Sequence, residues 1–342
     1  MIKKIAVVGA TENLGRELLS ILAEREFPAE EIVALDSEES EGKEISYGFD
    51  KRLIIKNLQN YDFKGTDIVF FVDVEGVSEV YGKKATEAGC IVIDESSCFR
   101  MNESIPLVIP EVNPKIIDDY KKSNIIASPN SSVIQMLVAL KPLHDVAKIK
   151  RIVVSTYQSV SGAGKEAMDE LYDHTKKVYE GEFVKPVKFD KTICFNVLPK
   201  IDGPMEDGND KEESKIVNET KKILGNDVEV SATCVRVPVF ACYSQSVNVE
   251  FKKAISAERS RKILSKTKGI LVLDRPKENI YAVPRECAAL DEVFVSRIRK
   301  DNSVKYGLNM WIVSDNIRKG GALNLVQIAE ILVKKFLQSI TI

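Results

Sequence analysis

Two adjacent serines open an apolar run that predicts a helix over residues 132–140. The segment reads Ser128-Pro-Asn-Ser-Ser-Val-Ile-Gln-Met-Leu-Val-Ala-Leu140, so both serines fall at the predicted helix N-terminus, where serine is a favoured cap. A nucleophilic Ser131 would also need a base, and the only 2 histidines, His144 and His174, lie in no recognisable motif. Capping is therefore the simpler interpretation, and a serine hydrolase is disfavoured.

A glycine-containing turn joins the first predicted strand to the first predicted helix. It reads Gly9-Ala-Thr-Glu-Asn-Leu-Gly15, and main-chain N–H groups at such a turn can bind the pyrophosphate of a dinucleotide. Glu12 stands where the middle glycine is expected and places a carboxylate beside the phosphates. Asp36 ends the second predicted strand and suits a ribose 2′-hydroxyl, which favours NAD over NADP. A plain strand-end turn is the alternative interpretation.

The composition excludes several classes of protein. With 342 residues, 44% of them hydrophobic, the chain is long enough for two domains with sizeable cores. The 49 basic residues nearly balance 51 acidic ones, so no nucleic-acid partner is predicted. Apolar stretches are too short for a membrane span or a signal peptide, which predicts a cytoplasmic protein without membrane contact. The 6 cysteines lack C-x-x-C spacing, which predicts reduced, mostly buried thiols and, with so few histidines, no metal site.

The elements that must position these residues change in character along the chain. In the first 130 residues, short apolar strands alternate with helices, which predicts a mainly parallel sheet covered on both faces. Farther on, strands alternate apolar and polar residues, as in a sheet covered on one face. The predicted strands cover residues 5–9, 31–36, 67–73, 90–94, 125–128, 149–157, 230–238, 246–251 and 293–299.

These patterns predict an α/β fold with two domains. Residues 1–130 form a Rossmann-like, doubly wound nucleotide-binding-type domain, and residues 131–319 form an α+β domain. A strongly helical closing stretch within 320–342 packs back on the first domain.

Several motifs, in order along nearly the whole chain, resemble those of the aspartate-β-semialdehyde dehydrogenase family. They include Gly-Ala-Thr at 9–11, Ser97-Cys-Phe-Arg-Met101, Pro129-Asn130, Gln158-Ser-Val-Ser-Gly-Ala-Gly164, Arg236-Val-Pro-Val239 and Lys319-Gly-Gly-Ala-Leu-Asn324. The resemblance implies a homodimer that dimerises through the α+β domain and reduces β-aspartyl phosphate with NADPH, in lysine, threonine and methionine biosynthesis. In that chemistry a cysteine thiolate at a helix N-terminus attacks the acyl phosphate, and a histidine is the acid–base catalyst.

Carried over residue by residue, the resemblance assigns a substrate site. Arg100 matches the arginine that binds phosphate, Arg236 the arginine that holds the substrate carboxylate, and Gln158 the glutamine that orients the nucleophile. The remaining predicted substrate-site residues are Asn130, Glu212, Lys215 and Gln245. The predicted cofactor-site residues are Gly9, Thr11, Glu12, Asn13, Leu14, Gly15, Asp36 and Gly162.

The positions that depart from the family pattern decide the predicted function. Ser131 stands at the nucleophile position and Tyr243 at the acid–base position, and tyrosine, with an ordinary pKa of about 10, is a poor substitute for imidazole. Glu12 and the acidic run 36–41 predict weak or absent NADP binding, and Asp73-Val-Glu75 replaces a small turn near the nicotinamide. We therefore predict a catalytically inactive or severely impaired member, either a pseudoenzyme paralogue or a deliberately altered form, that keeps the scaffold.

Two alternatives stay open. The first is an active aspartate-semialdehyde dehydrogenase that works through Ser131. The second is a small-anion binding protein that uses Arg100, Arg236 and Lys215. The predicted partners are a second copy of the chain and a small anionic substrate or phosphate.

Overall fold

The computed structural model describes the backbone of residues 2–72 and 76–340, and side chains up to residue 335. The predicted acidic turn at 73–75 lies outside the described residues. The strands are β1 (Ile2–Val8), β2 (Ala29–Asp36), β3 (Glu44–Tyr47), β4 (Lys51–Ile54), β5 (Lys56–Asn57), β6 (Ile68–Phe71), β7 (Ile91–Asp94), β8 (Ile125–Ala127), β9 (Ile149–Gln158), β10 (Glu229–Arg236), β11 (Tyr243–Phe251), β12 (Ile270–Val272), β13 (Val293–Asp301) and β14 (Gly307–Ser314). The helices are α1 (Asn13–Glu24), α2 (Val77–Glu87), α3 (Ser131–Ala147), α4 (Lys165–Tyr179), α5 (Lys211–Leu224), α6 (Ala257–Leu264), α7 (Pro284–Cys287) and α8 (Leu323–Ile340).

The chain divides into two compact units. The N-terminal unit comprises Met1–Asn130 and Gly321–Ile342, and the C-terminal unit comprises Ser131–Gly320. Helix α8 thus belongs to the N-terminal unit, where Glu330 pairs with Arg25, the residue after α1, at 2.7 Å. Among the helices that the structure describes, none combines the length and the hydrophobicity of a membrane-spanning segment.

The N-terminal unit is built on a parallel sheet of six strands in the order β5-β2-β1-β6-β7-β8. Its central strands are apolar on both faces: Ile5–Val8 in β1 and Ile68–Phe71 in β6 are all at most 1% exposed. Strands buried on both faces are typical of a sheet between two layers of helix, so the predicted doubly wound fold is confirmed. The carboxyl ends of these strands meet at one edge, where such folds bind ligands.

The C-terminal unit is built on a mixed sheet of six strands in the order β10-β9-β11-β14-β13-β12. Helices α3, α5 and α6 pack against it. In β9, Ile152 and Val154 are at most 1% exposed whereas Tyr157 is 37% exposed, so one face carries the core and the other is more open. This α+β arrangement confirms the fold class predicted for the second half of the chain.

Most element boundaries differ from the predicted ones by one to three residues, and three of these differences lie next to predicted site residues. Helix α3 begins one residue early, at Ser131, and continues seven residues past Leu140 to Ala147. Strand β11 begins at Tyr243, three residues early, because strands on both sides pair with it there. Strand β10 ends at Arg236, two residues before Pro238, a residue that lacks the N–H needed to continue a ladder.

Candidate active site

One edge of the mixed sheet gathers residues that are far apart in the sequence. The register places Gln158, at the end of β9, between Arg236, at the end of β10, and Tyr243, at the start of β11. Strand β14 contributes Ser314 at the same level, opposite Tyr243. Cross-strand neighbours share one face of a sheet, and Gln158 and Tyr243 are 0% and 5% exposed, so this is the buried face. Three predicted site residues thus meet in one row.

The first turn of α3 is hydrogen-bonded to this edge. Gln158 Nε2 donates to Ser132 Oγ at 3.2 Å, and Gln245 Nε2 donates to the main-chain oxygen of Ser132 at 2.8 Å. One residue earlier, Ser131 Oγ donates to the main-chain oxygen of Asn316 at 3.2 Å. Gln158 and Gln245 therefore hold the helix that carries Ser131, and their contacts with a substrate stay predictions.

Tyr243 fills the space beside Gly162. A Cβ built on Gly162 would lie 1.7 Å from the phenol oxygen of Tyr243 and 2.8 Å from its Cζ, far closer than non-bonded atoms approach. Only glycine fits at this position while Tyr243 keeps its place. Gly162 was predicted to line the cofactor, and here it faces the phenol.

The two histidines contact other parts of the C-terminal unit: His144 is hydrogen-bonded to Ile149 at the far end of α3, and His174 lies beside Glu170 within α4. His144 lies on α3, 13 residues after Ser131, which places it about 20 Å farther along the axis. Its Nδ1 accepts a hydrogen bond from Ile149 N at 3.3 Å, and burial lowers the pKa of its imidazole. His174 lies in α4, with Nδ1 3.8 Å from Glu170 Oε1.

The cysteines offer no substitute nucleophile at this edge. All six are free thiols, and five are buried, which confirms the prediction of mostly buried thiols. Cys242 immediately precedes β11 and is 1% exposed, and burial raises its pKa. A thiol of this kind stays protonated at neutral pH and is a weak nucleophile.

Buried charges lie next to Gln158. Glu212 is 6% exposed and accepts a hydrogen bond from Gln158 Nε2 at 3.1 Å. Lys215 Nζ lies 3.6 Å from Glu212 Oε2 and 3.0 Å from Asp202 Oδ2. Arg236 is 4% exposed and donates through Nη1 to the main-chain oxygen of Ser159 at 2.7 Å. The predicted substrate residues of this unit therefore form one polar cluster.

Sequence reasoning missed three members of the cluster: Asp202, Ser159 and Asn316. Asp202 opens a polar loop, which marks it as exposed to solvent and not as a partner of Lys215. Ser159 lies inside the glycine-containing motif after β9, and Asn316 follows β14 by two residues. Neither serine nor asparagine has chemistry that singles it out without the tertiary contact.

Among the described residues, Asp210, Glu213 and Cys234 bring potential metal ligands within 4.8 Å of one another. Their atoms already form the cap of α5: Glu213 N donates to Asp210 Oδ1 at 2.8 Å, and Asp210 N donates to Glu213 Oε2 at 2.9 Å. Cys234 N donates to the other oxygen of Glu213 at 3.0 Å. These cap and strand bonds explain why the three residues are close together.

The predicted dinucleotide turn of the N-terminal unit is held by Asp36. Its Oδ2 accepts from Thr11 N at 2.9 Å and from Thr11 Oγ1 at 2.8 Å, and its Oδ1 accepts from Ser37 N at 2.7 Å. A carboxylate has about four acceptor sites, so Asp36 can still accept a ribose hydroxyl. Glu12 is exposed at the N-cap position and does not cap α1 with its side chain.

The other residues of this turn pack closely against one another or begin helix α1. Gly15 packs against Gly9, because a Cβ on Gly15 would lie 2.1 Å from the Gly9 oxygen. Leu14 is 5% exposed, so its side chain belongs to the core, while Asn13 begins α1 and is half-buried. A helix N-terminus with close backbone packing suits the phosphates of a dinucleotide, apart from the added charge of Glu12.

Arg100 is 5% exposed and is paired within its own loop. Its Nη2 donates to the main-chain oxygen of Glu95 and lies 3.4 Å from Glu95 Oε1. A phosphate at Arg100 would therefore compete with the Glu95 carboxylate. Asn130, the other substrate residue predicted in this unit, is half-buried after β8.

The parallel sheet with a glycine-containing turn, together with a separate mixed sheet, defines a two-domain α/β protein whose N-terminal unit has a nucleotide-binding-type fold. Residues 4–120 match the domain described as "Semialdehyde dehydrogenase, NAD binding domain", and residues 140–319 match "Semialdehyde dehydrogenase, dimerisation domain". The chain belongs to the aspartate-semialdehyde dehydrogenase family.

Three relatives illustrate the similarity. Aspartate-semialdehyde dehydrogenase of Aquifex aeolicus is 50% identical over 97% of this chain and 98% of its own length. The crystal structure of aspartate semialdehyde dehydrogenase II from Vibrio cholerae complexed with ASA has a TM-score of 0.95 at 43% identity, covering 98% of this chain and 99% of that one. The enzyme from Candida albicans, crystallised with NADP, has a TM-score of 0.74 at 25% identity, covering 97% and 98%.

Proposed function

We propose that this chain is an aspartate-semialdehyde dehydrogenase that works through Ser131. Aspartate semialdehyde, phosphate and NADP⁺ would be converted to β-aspartyl phosphate, NADPH and a proton, and the reverse direction would serve amino-acid biosynthesis in the cytoplasm. The observation that carries the proposal is the place of Ser131 Oγ, at the N-terminus of α3. Relatives at 43–50% identity over nearly the whole chain fit an active enzyme at least as well as the inactive form predicted above.

The side chains of the C-terminal unit support defined roles in this reaction. Arg236 is a buried cation suited to the α-carboxylate of the substrate, and Lys215 adds a second positive charge. Ser131 Oγ would add to the aldehyde carbon, with its proton passing to the aldehyde oxygen and from there to solvent as the ester forms. The dinucleotide, when bound, accepts the hydride that leaves this carbon. The resulting ester of Ser131 would then be cleaved by phosphate, which restores the hydroxyl.

The rate should be low compared with enzymes that use a thiolate and an imidazole. The serine hydroxyl is barely ionised near neutrality, and loss of general acid–base help typically costs ~10²–10⁴-fold. Tyr243, at the predicted acid–base position, is packed against Gly162. This packing favours a second candidate, a member that binds small anions or phosphate at Arg236 and Lys215 without turnover.

The N-terminal unit supports dinucleotide binding, with weaker affinity for NADP than is usual for the family. The turn between β1 and α1 would hold the phosphates through its backbone. Glu12 and the exposed Glu38, Glu39 and Glu41 place negative charge on the same edge. Repulsion from these carboxylates should weaken the binding of NADP more than the binding of NAD, because NADP carries an additional phosphate.

A homodimer is proposed through the open face of the mixed sheet. On this face Tyr157 and Trp311 lie with ring centroids 5.4 Å apart, and Ser155 and Ser246 pair across β9 and β11. Tyr157 is 37% exposed, and Ser246 is also exposed. An open face with aromatic side chains is suited to a second copy of the chain.

The deciding experiment is NADPH formation from aspartate semialdehyde and NADP in the presence and absence of phosphate. Phosphate-dependent formation that disappears in S131A would establish the proposed reaction. Absence of turnover, together with calorimetric binding of phosphate or an aspartyl analogue that is lost in R236A, would instead establish the second candidate. Sedimentation of the purified chain tests the dimer independently.

A further inference from the structure

Asn316 connects the serine at the start of α3 with the buried arginine of β10. Ser131 Oγ donates to the main-chain oxygen of Asn316 at 3.2 Å. The side-chain oxygen of Asn316 accepts from Ser159 Oγ at 3.2 Å and from Ser161 Oγ at 3.1 Å. Ser159 extends the connection, because its main-chain oxygen accepts from Arg236 Nη1 at 2.7 Å. The two predicted functional groups, hydroxyl and guanidinium, are thus joined by three successive hydrogen bonds through Asn316 and Ser159.

This connection is shielded from water. Asn316 is 2% exposed, Ser159 0%, Ser161 5% and Arg236 4%. Ser159 Oγ and Ser161 Oγ also lie 2.9 Å from each other, on either side of the amide oxygen that accepts from them. Buried polar groups that lose a partner are costly, and such a network therefore holds a single geometry.

The segment that carries Asn316 is itself held in place. Asp315 Oδ1 accepts from Ile317 N at 2.9 Å and from Arg318 N at 3.0 Å, and its main-chain oxygen accepts from Gly320 N at 2.9 Å. Gly320 packs directly on the serine, because a Cβ there would lie 2.8 Å from Ser131 Cβ and 3.2 Å from Ser131 Oγ. The segment therefore presents one carbonyl to the hydroxyl and leaves little space beside it.

We infer that Asn316 is a positioning residue for the side chain at position 131. Its side-chain amide, held by Ser159 and Ser161, fixes the main-chain carbonyl that accepts the hydrogen bond from Ser131 Oγ, and so sets the direction of the hydroxyl relative to Arg236. The inference rests on the proposed role of Ser131, but it concerns orientation and not turnover. A carbonyl that accepts from residue 131 stabilises the protonated form of that residue and raises its pKa.

The test uses the S131C variant, whose thiol can be titrated by the ultraviolet absorbance of its thiolate, with the parent chain as the reference for the other cysteines. Adding N316A should free the carbonyl and lower the pKa of the new thiol by about one pH unit. Adding S159A and S161A instead should have the same effect, and combining all three should add nothing further. This shared effect distinguishes positioning from a general loss of stability.

A matched control is N196A in the same S131C background. Asn196 also makes two side-chain hydrogen bonds in this unit, to Thr192 O at 3.1 Å and from Val197 N at 2.9 Å. The thiol pKa should not move in this control. An unchanged pKa in N316A, or an equal shift in N196A, would overturn the inference; if N316A fails to fold, the pair S159A/S161A decides. A pKa shift without turnover in the parent chain would reject the proposed function and leave the positioning role intact.

Discussion

The phenol oxygen of Tyr243 lies 1.7 Å from the point where a side chain on Gly162 would begin. The two residues come from the start of β11 and from the turn after β9, so they meet only through the sheet. Tyr243, at the predicted acid–base position, is therefore in direct contact with Gly162, a residue predicted to line the cofactor.

Replacing Gly162 with alanine should destabilise the chain by about 1–3 kcal/mol, because the new methyl group overlaps the Tyr243 hydroxyl. Urea denaturation measures the change. The control is G203A, since a Cβ at Gly203 would meet nothing closer than 3.5 Å. In a Y243A background the cost of G162A should largely vanish; an undiminished cost would show that Tyr243 is not the obstacle.

Replacing Ser131 with alanine should abolish phosphate-dependent NADPH formation, because no other group at this position can form the ester. Binding of an aspartyl analogue should persist, since Arg236 and Lys215 are untouched. S131C should raise turnover only modestly, because proton transfer still lacks an imidazole. Activity that survives in S131A would assign the reaction to another group.

Replacing Tyr243 with histidine in the S131C background should raise turnover by about 10²–10⁴-fold, the usual contribution of a placed general base. The rate should then fall at acidic pH as the imidazole is protonated, near its ordinary pKa of about 6.5. Steady-state rates from pH 5 to pH 9 provide the measurement. Y243F is the control, as it keeps the ring without adding a base. A flat pH profile in the histidine variant would mean that position 243 does not transfer the proton.

Replacing Glu12 with glycine should strengthen NADP binding about tenfold at low salt, because the exposed carboxylate beside the phosphate turn is removed. The gain should shrink at high salt, where exposed charges are screened. E30Q is the control, since Glu30 lies near the opposite end of β2, about 20 Å from Asp36. Titration calorimetry with NADP and NAD at two salt concentrations tests both parts; an equal gain for E30Q would reject the local effect.

His144 should make the folded state less stable in acid. Burial lowers the pKa of His144 in the folded state below its value in the unfolded chain. The unfolded state therefore binds the proton more readily, and the free energy of unfolding decreases as the pH is lowered below about 6.5. Protonation also removes the acceptor for Ile149 N, a loss of about 1 kcal/mol. Urea unfolding at pH 5 and pH 7.5 should show a smaller difference for H144Q than for the parent chain. An identical pH dependence would exclude His144 as its source.

Local patterns in the sequence determined the fold class. Uninterrupted apolar runs such as Ile5–Val8 require burial on both faces, and this requirement alone favours a parallel sheet between helices. The alternating pattern of β9 similarly requires one covered face. Ordered motifs then indicated the family. The predicted positions of strand ends were less accurate, because the start of β11 depends on its pairing with β9 and β14 and not on its own residues.

Only the tertiary structure decided which polar groups share hydrogen bonds. Arg236, Gln158 and Tyr243 are adjacent because of register, and register is a property of strand pairing. Asn316 carries no distinctive chemistry in the sequence, and it acquires a role because β14 ends beside the start of α3. The contact of Tyr243 with Gly162 likewise depends on a side-chain direction that spacing along the chain does not encode.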